Sequence, residues 1–181
     1  MTSKSKQKGN AWEREITKFL GDTLGGNFMR VPNSGAYMGG KNSFRKSFLS
    51  DGQQRAAKGD IIPPDEFPKL NIEAKNYKDI AFHQLINGSC KQLDTWIDQT
   101  EEPADDDDVS FTIFKITRKG SWVAFKYSLI EEFDMSSLSY IVYRKDFGTT
   151  KHCDYVIVDY ETFFKNNVES VKKLGANGKK G

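Results

Sequence analysis

The sequence predicts a single α/β domain with a central mixed β-sheet flanked by helices. Three observations carry that reading. Apolar residues recur at helical spacing near the N-terminus, short β-rich runs punctuate the chain as far as Tyr160, and helical periodicity returns between and after those runs. At 181 residues, with 37% hydrophobic and 13% aromatic content, the chain is long enough for one filled core and short for two. Residues 1–181 therefore read as one domain, with 1–8 and 172–181 as flexible tails and 33–57 as a long basic loop.

The elements follow in order. In "NAWEREITKFLGDTL", Trp12, Ile16, Phe19 and Leu20 form one apolar stripe, and Gly25-Gly26 stops the helix. "NFMRVP" reads as a first strand, "DII" as a second and "KLNIEAK" as a third. The prolines of "PPDEFP" cannot continue a strand, so the second and third runs form a hairpin across them. The periodic segment from Phe82 to about Ile97 reads as one helix. "VSFTIFKITRKGSWVAFKYS" is a hairpin turning around Lys119-Gly120, "SYIVYRK" and "CDYVIVDY" are two more strands, and a short helix spans about Glu161 to Val171. "KKLGANGKKG" then reads as a frayed tail.

Several classes are excluded. No run approaches the roughly 18 to 20 apolar residues of a membrane span, and "MTSKSKQKGN" lacks the apolar centre of a signal peptide, so the expected location is the cytoplasm. Cys90 and Cys153 give no disulfide framework, and with His83 and His152 they lack zinc-ligand spacing. The formal net charge is +2, yet "DQTEEPADDDD" from Asp98 to Asp108 holds seven acidic residues and no basic one, leaving +9 on the remainder. That basic remainder points to a polyanionic partner, and the acidic run is expected to stay in solvent.

The chemistry concentrates in "KGDII" and "NIEAK". Side chains alternate along a strand, so Glu73 and Lys75 share a face with Asn71, and the hairpin brings Asp60 beside Glu73. Two carboxylates held together repel, and a hard divalent cation such as Mg²⁺ removes that cost. A lysine on the same face can orient an attacking water or stabilise charge on a phosphate. Upstream, Glu13 lies at the edge of the first helix's apolar stripe, where a carboxylate needs a partner.

In order, "KGNAWERE", "MRVPNSG", "KGDII" and "NIEAK" resemble the PD-(D/E)XK nuclease superfamily, and within it the archaeal-type and phage Holliday junction resolvases. The resemblance covers about Lys8 to Lys75. It implies a restriction-endonuclease-like fold and a metal-dependent endonuclease, with Glu13, Asp60, Glu73 and the Ala74 carbonyl as ligands of Mg²⁺, for which Mn²⁺ can substitute. It makes Lys75 the catalytic lysine and sets Lys8, Arg14, Arg30 and Ser34 against the DNA backbone. The implied partner is DNA, as four-way junctions, met by a homodimer in a bacterial or phage-infected cell. The alternatives are a nuclease for ordinary duplex or single-stranded DNA and a catalytically silent DNA-binding protein of the same fold.

Independently of family, Lys41, Arg45, Lys46, Arg55 and Lys58 supply charge for phosphates, while Tyr37, Phe44 and Phe48 are interleaved aromatics suited to unstacked bases. Gln84, on the helix after the E-x-K strand, is a minor site candidate, and His83 reads as structural. For a dimer, the apolar surfaces on offer are the hairpin from Val109 to Tyr127 and the strand "SYIVY".

Overall fold

The computed structural model describes residues 4–31, 58–88, 90–147 and 152–179. Helix α1 (Lys4–Leu24) opens the domain, earlier than the expected polar leader allowed. It ends where Gly25 and Gly26 take φ of 78° and 83°, values a side chain would resist. The strands β1 (Met29–Arg30), β2 (Ile61–Ile62) and β3 (Leu70–Tyr77) follow, then helices α2 (Phe82–Ile86) and α3 (Lys91–Glu101). Next come β4 (Val109–Ile116), β5 (Gly120–Lys126), a 3-10 turn at Tyr127–Glu132, β6 (Tyr140–Asp146), β7 (His152–Asp159), α4 (Tyr160–Asn166) and α5 (Val168–Asn177).

The strands form one mixed sheet in the order β1-β2-β3-β4-β5-β7-β6. Among the described strands only β3 and β4 run parallel, because α2 and α3 carry the chain back over one face between them. The predicted hairpins are present: Ile61 pairs Ile72 antiparallel, and Ile116 pairs Gly120 across the turn. That turn sets Arg118 at a φ of 65°, in the left-handed region.

Two cores account for the layers. On one face Trp12, Ile16 and Leu20 of α1, Phe163 and Phe164 of α4, and Val171 and Leu174 of α5 pack on Ile72, Phe111, Ile113 and Phe125. On the other, Leu85, Leu93, Trp96 and Ile97 of α2 and α3 cover Phe114, Ile116, Tyr143 and Ile157. The result is helices on both faces of a sheet, as the apolar periodicities require.

Three expectations about elements need correction. The segment from Phe82 to Ile97 is two helices, parted where Gly88 takes a φ of 70°. The expected short helix near the C-terminus is likewise two, broken at Asn167, whose side chain caps Asp134 N–H instead of joining a continuous helix. Residues 172–177 are not a frayed tail. They complete α5, where Leu174 and Gly175 are buried, and the N–H of Lys179 donates to the Asp107 carbonyl.

Candidate active site

Asp60 is fixed by its backbone on both sides. Its N–H donates to the Ile72 carbonyl at 3.0 Å, and its own carbonyl accepts from Val31 N–H at 2.9 Å. Its carboxylate Oδ2 accepts the Ala74 N–H at 3.0 Å, so the side chain lies along the centre of β3. The approach of the two chains is close: a Cβ on Gly59 would lie 2.2 Å from the Ile72 carbonyl oxygen. Only glycine can precede Asp60 at that distance, which explains the "KGD" order physically.

On β3 the polar face is not solvated decoration. Asn71 is buried and donates from Nδ2 to the Thr100 carbonyl at 2.6 Å, tying β3 to the end of α3. Two residues on, Glu73 is nearly covered, and Lys75 Nζ donates to its Oε1 at 2.5 Å. Burial, and next the charge of Asp60, push the Glu73 carboxyl up to about 7, against the smaller opposing pull of Lys75. An E-x-K pair in water would not behave this way.

Glu13 approaches from α1 and is only 7% exposed. Burial raises its carboxyl above the usual range, and the hydrogen bond from Arg30 counters it. Arg30 Nε donates to Glu13 Oε2 at 2.9 Å, and Nη2 donates to Asn10 Oδ1 at 2.9 Å. Asp60 acts on Glu13 electrostatically, so the three carboxylates share one neighbourhood. Arg30 therefore reaches the acidic cluster and orients Glu13; sequence reasoning had set it on the DNA backbone and missed Asn10.

Asp60 and Glu73 fit a hard divalent cation by the chemistry of their donors. Both are oxygen ligands, both are largely out of water, and their mutual repulsion is part of what raises Glu73. Glu13 is turned to Arg30, and among the described residues no three His, Cys, Asp or Glu are gathered as a metal-binding group. Of the four expected donors, the Asp60 and Glu73 carboxylates come together beside Ala74, and Glu13 is turned to Arg30.

The predicted DNA contacts divide. Lys8 and Arg14 are exposed on α1, and the Lys8 carbonyl accepts from Asn76 Nδ2 at 3.3 Å, joining the start of α1 to the end of β3. Ser34, Lys41, Arg45, Lys46 and Arg55, with Tyr37, Phe44 and Phe48, lie outside the described residues. His83 and Gln84 sit on α2, beyond the end of β3.

Lys58 does not face outward as a phosphate contact. Its Nζ lies 2.6 Å from Asp108 and 2.7 Å from Asp105, and its side chain is 9% exposed. The acidic run is only partly in solvent: Asp98, Glu102, Asp105 and Asp106 are exposed as expected, whereas Asp108 is buried under Lys58 and Asp107 holds Lys69. These pairs clasp the chain two residues before Asp60, and they could not be seen locally because 50 residues separate Lys58 from Asp108. Lys58→Met should leave the Asp108 carboxylate buried without its cation and destabilise the fold by about 3 kcal/mol. Denaturant unfolding measures that loss. The salt dependence of DNA binding should not change, and a flatter salt slope would return Lys58 to the DNA contacts.

A family model for phage putative PDDEXK endonucleases matches residues 4–173. Comparison with curated proteins and with solved structures gives no match. No described helix is long and apolar enough to cross a membrane.

Proposed function

Because the chain belongs to the phage putative PDDEXK endonuclease family, we propose that Asp60, Glu73 and Lys75 are the centre at which it hydrolyses DNA phosphodiester bonds, and that its substrate is a four-way junction. The observation that carries the chemistry is buried Asp60 beside nearly covered Glu73, with Lys75 clamped on the same strand face. Such a pair is costly in a protein that makes no use of it.

The residues have separate tasks. Asp60, held by Ala74 N–H, and Glu73, with the carbonyl of Ala74 next along the strand, would hold Mg²⁺ or Mn²⁺, with Glu13 at the outer edge. When bound, that cation polarises the phosphoryl oxygens and offsets the charge they develop. Lys75 keeps its ammonium within reach of Glu73, where it orients the attacking water and draws charge from the phosphate. Arg30 and Asn10 keep Glu13 from swinging away. Lys8 and Arg14, exposed on α1, supply contacts to the DNA backbone.

The junction reading is supported by the ordered resemblance of the four motifs and by the need for two opposed cuts, which a two-fold homodimer provides by symmetry. Competition between a fixed four-way junction and a linear duplex of equal length tests it. The expected result is preferred binding and paired, symmetry-related nicks on the junction. Equal degradation of the linear duplex would leave a general nuclease.

A further inference from the structure

Strand β6 closes the sheet at the edge farthest from Asp60, and no other described strand pairs along its outer side. It pairs with β7 over all seven residues without a bulge. Outward it presents apolar surface: Tyr140, Ile141 and Val142 are 41%, 43% and 47% exposed, and Phe147 just beyond is 50% exposed. Edge strands of monomers are ordinarily protected by bulges, short length or free charges. Here two of the strand's three charges are engaged within the chain, Arg144 on Asp154 at 2.8 Å and 3.0 Å and Lys145 on Asp98 at 3.1 Å, and the third, Asp146, stands exposed at its end.

We propose that β6 is a docking edge for a second copy of this chain, paired antiparallel about a two-fold axis at Val142. Residues directly opposite across a strand pair share a face, so the register can be chosen by what each places in contact. With the axis on Val142, the two Val142 side chains meet and Tyr140 faces the other copy's Arg144, an arrangement that suits cation–π contact, while Ile141 lies opposite Tyr143, which is buried in its own core. An axis on Arg144 sets two guanidinium groups against each other. An axis on Tyr143 sets Lys145 against Ile141 and Asp146 against Tyr140. An axis on Ile141 sets Ile141 against itself and Tyr140 against Val142, but takes Arg144 away from the Tyr140 ring. The strand is thus self-complementary about Val142 and its neighbour Ile141, which favours a second copy over an unrelated partner.

Pairing at this edge also suits the site. Nine strand spacings of about 4.8 Å separate the two copies of β3, so the centres lie about 40 Å apart along the joined sheet and both stay open. The opposite edge, β1, is two residues long and adjoins the strand after Asp60, where a partner would crowd the carboxylates. The hairpin of β4 and β5, the other surface suggested by the sequence, lies inside the sheet with most of its residues buried. As the source of the homodimer in the junction reading, this edge deepens that reading and rests on it.

Sedimentation velocity at micromolar concentration tests the edge. The wild-type chain should sediment as a dimer, and Val142→Lys should weaken association about tenfold or more by setting like charges at the axis. The variant should keep its circular dichroism and its rate of single nicks on supercoiled plasmid, while paired cuts on a junction become uncoupled. Tyr140→Lys, at another exposed side chain, serves the same purpose should Val142→Lys fold poorly. A wild-type monomer, or a dimer indifferent to both substitutions, overturns the proposal. A wild-type dimer sensitive to them but without any hydrolysis in Mg²⁺ supports the edge and removes the nuclease reading instead.

Discussion

Glu73→Gln should lower DNA cleavage by about a thousandfold or more while raising the stability of the metal-free protein at alkaline pH. The loss of activity follows because the amide keeps the size of the carboxyl but no longer carries the charge that would bind a cation and hold Lys75. The gain in stability follows from the sign of the carboxyl's shift. Burial and Asp60 raise Glu73 in the folded chain from 4.5 to about 7, so the folded state binds its proton more tightly than the unfolded state does. The stabilisation from that proton is complete below about 4.5 and is lost as the pH rises to about 7. Above that, the ionised group costs the metal-free fold about 3 kcal/mol, which the glutamine variant does not bear. Thermal unfolding in EDTA at pH 8 and at pH 4.5 measures the difference. The variant should be the more stable at the higher pH, with the gap closing at the lower. A variant less stable than wild type at pH 8 would mean that the Lys75 pair outweighs desolvation.

Gly59→Ala should destabilise the fold by about 3 kcal/mol or more and abolish cleavage together. The added methyl would sit 2.2 Å from the Ile72 oxygen and 2.8 Å from its carbon, both backbone atoms of a buried strand that cannot rotate aside. Relief requires β2 to move off β3, which breaks the Asp60 N–H bond to Ile72 and takes the Asp60 carboxylate from Ala74 N–H. Circular dichroism through a denaturant series, read beside nicking activity, checks both effects. Normal stability in this variant would show that the strands are not held at this distance in solution.

The site was legible where the period of a strand carries chemistry. Alternation set Glu73 and Lys75 on one face, and the prolines after "DII" forced the hairpin that brings Asp60 beside them. The first helix was legible because Trp12, Ile16 and Leu20 repeat at its period and paired glycines end it. What stayed hidden depends on contacts distant in sequence. Lys58 reads as a free cation until Asp108 folds over it, and nothing near Asn71 in sequence points to the Thr100 carbonyl that accepts its amide. Arg30 reads as a phosphate ligand until Glu13 and Asn10 are found against it. The last helix was missed because "KKLGANGKKG" is rich in lysine and glycine, whereas Leu174 and Gly175 are buried against Phe67 and Leu70. Local composition could not report that surface.

We propose Asp60, Glu73 and Lys75 as one phosphodiester-hydrolysing centre. The most direct test is nicking of supercoiled plasmid by the wild-type chain and by Lys75→Ala, each in Mg²⁺ and again with EDTA. The wild-type chain should nick in Mg²⁺ and not with EDTA, and Lys75→Ala should nick at least about a hundredfold less while its circular dichroism shows the fold retained. Undiminished nicking by Lys75→Ala, or nicking that persists in EDTA, would contradict that assignment.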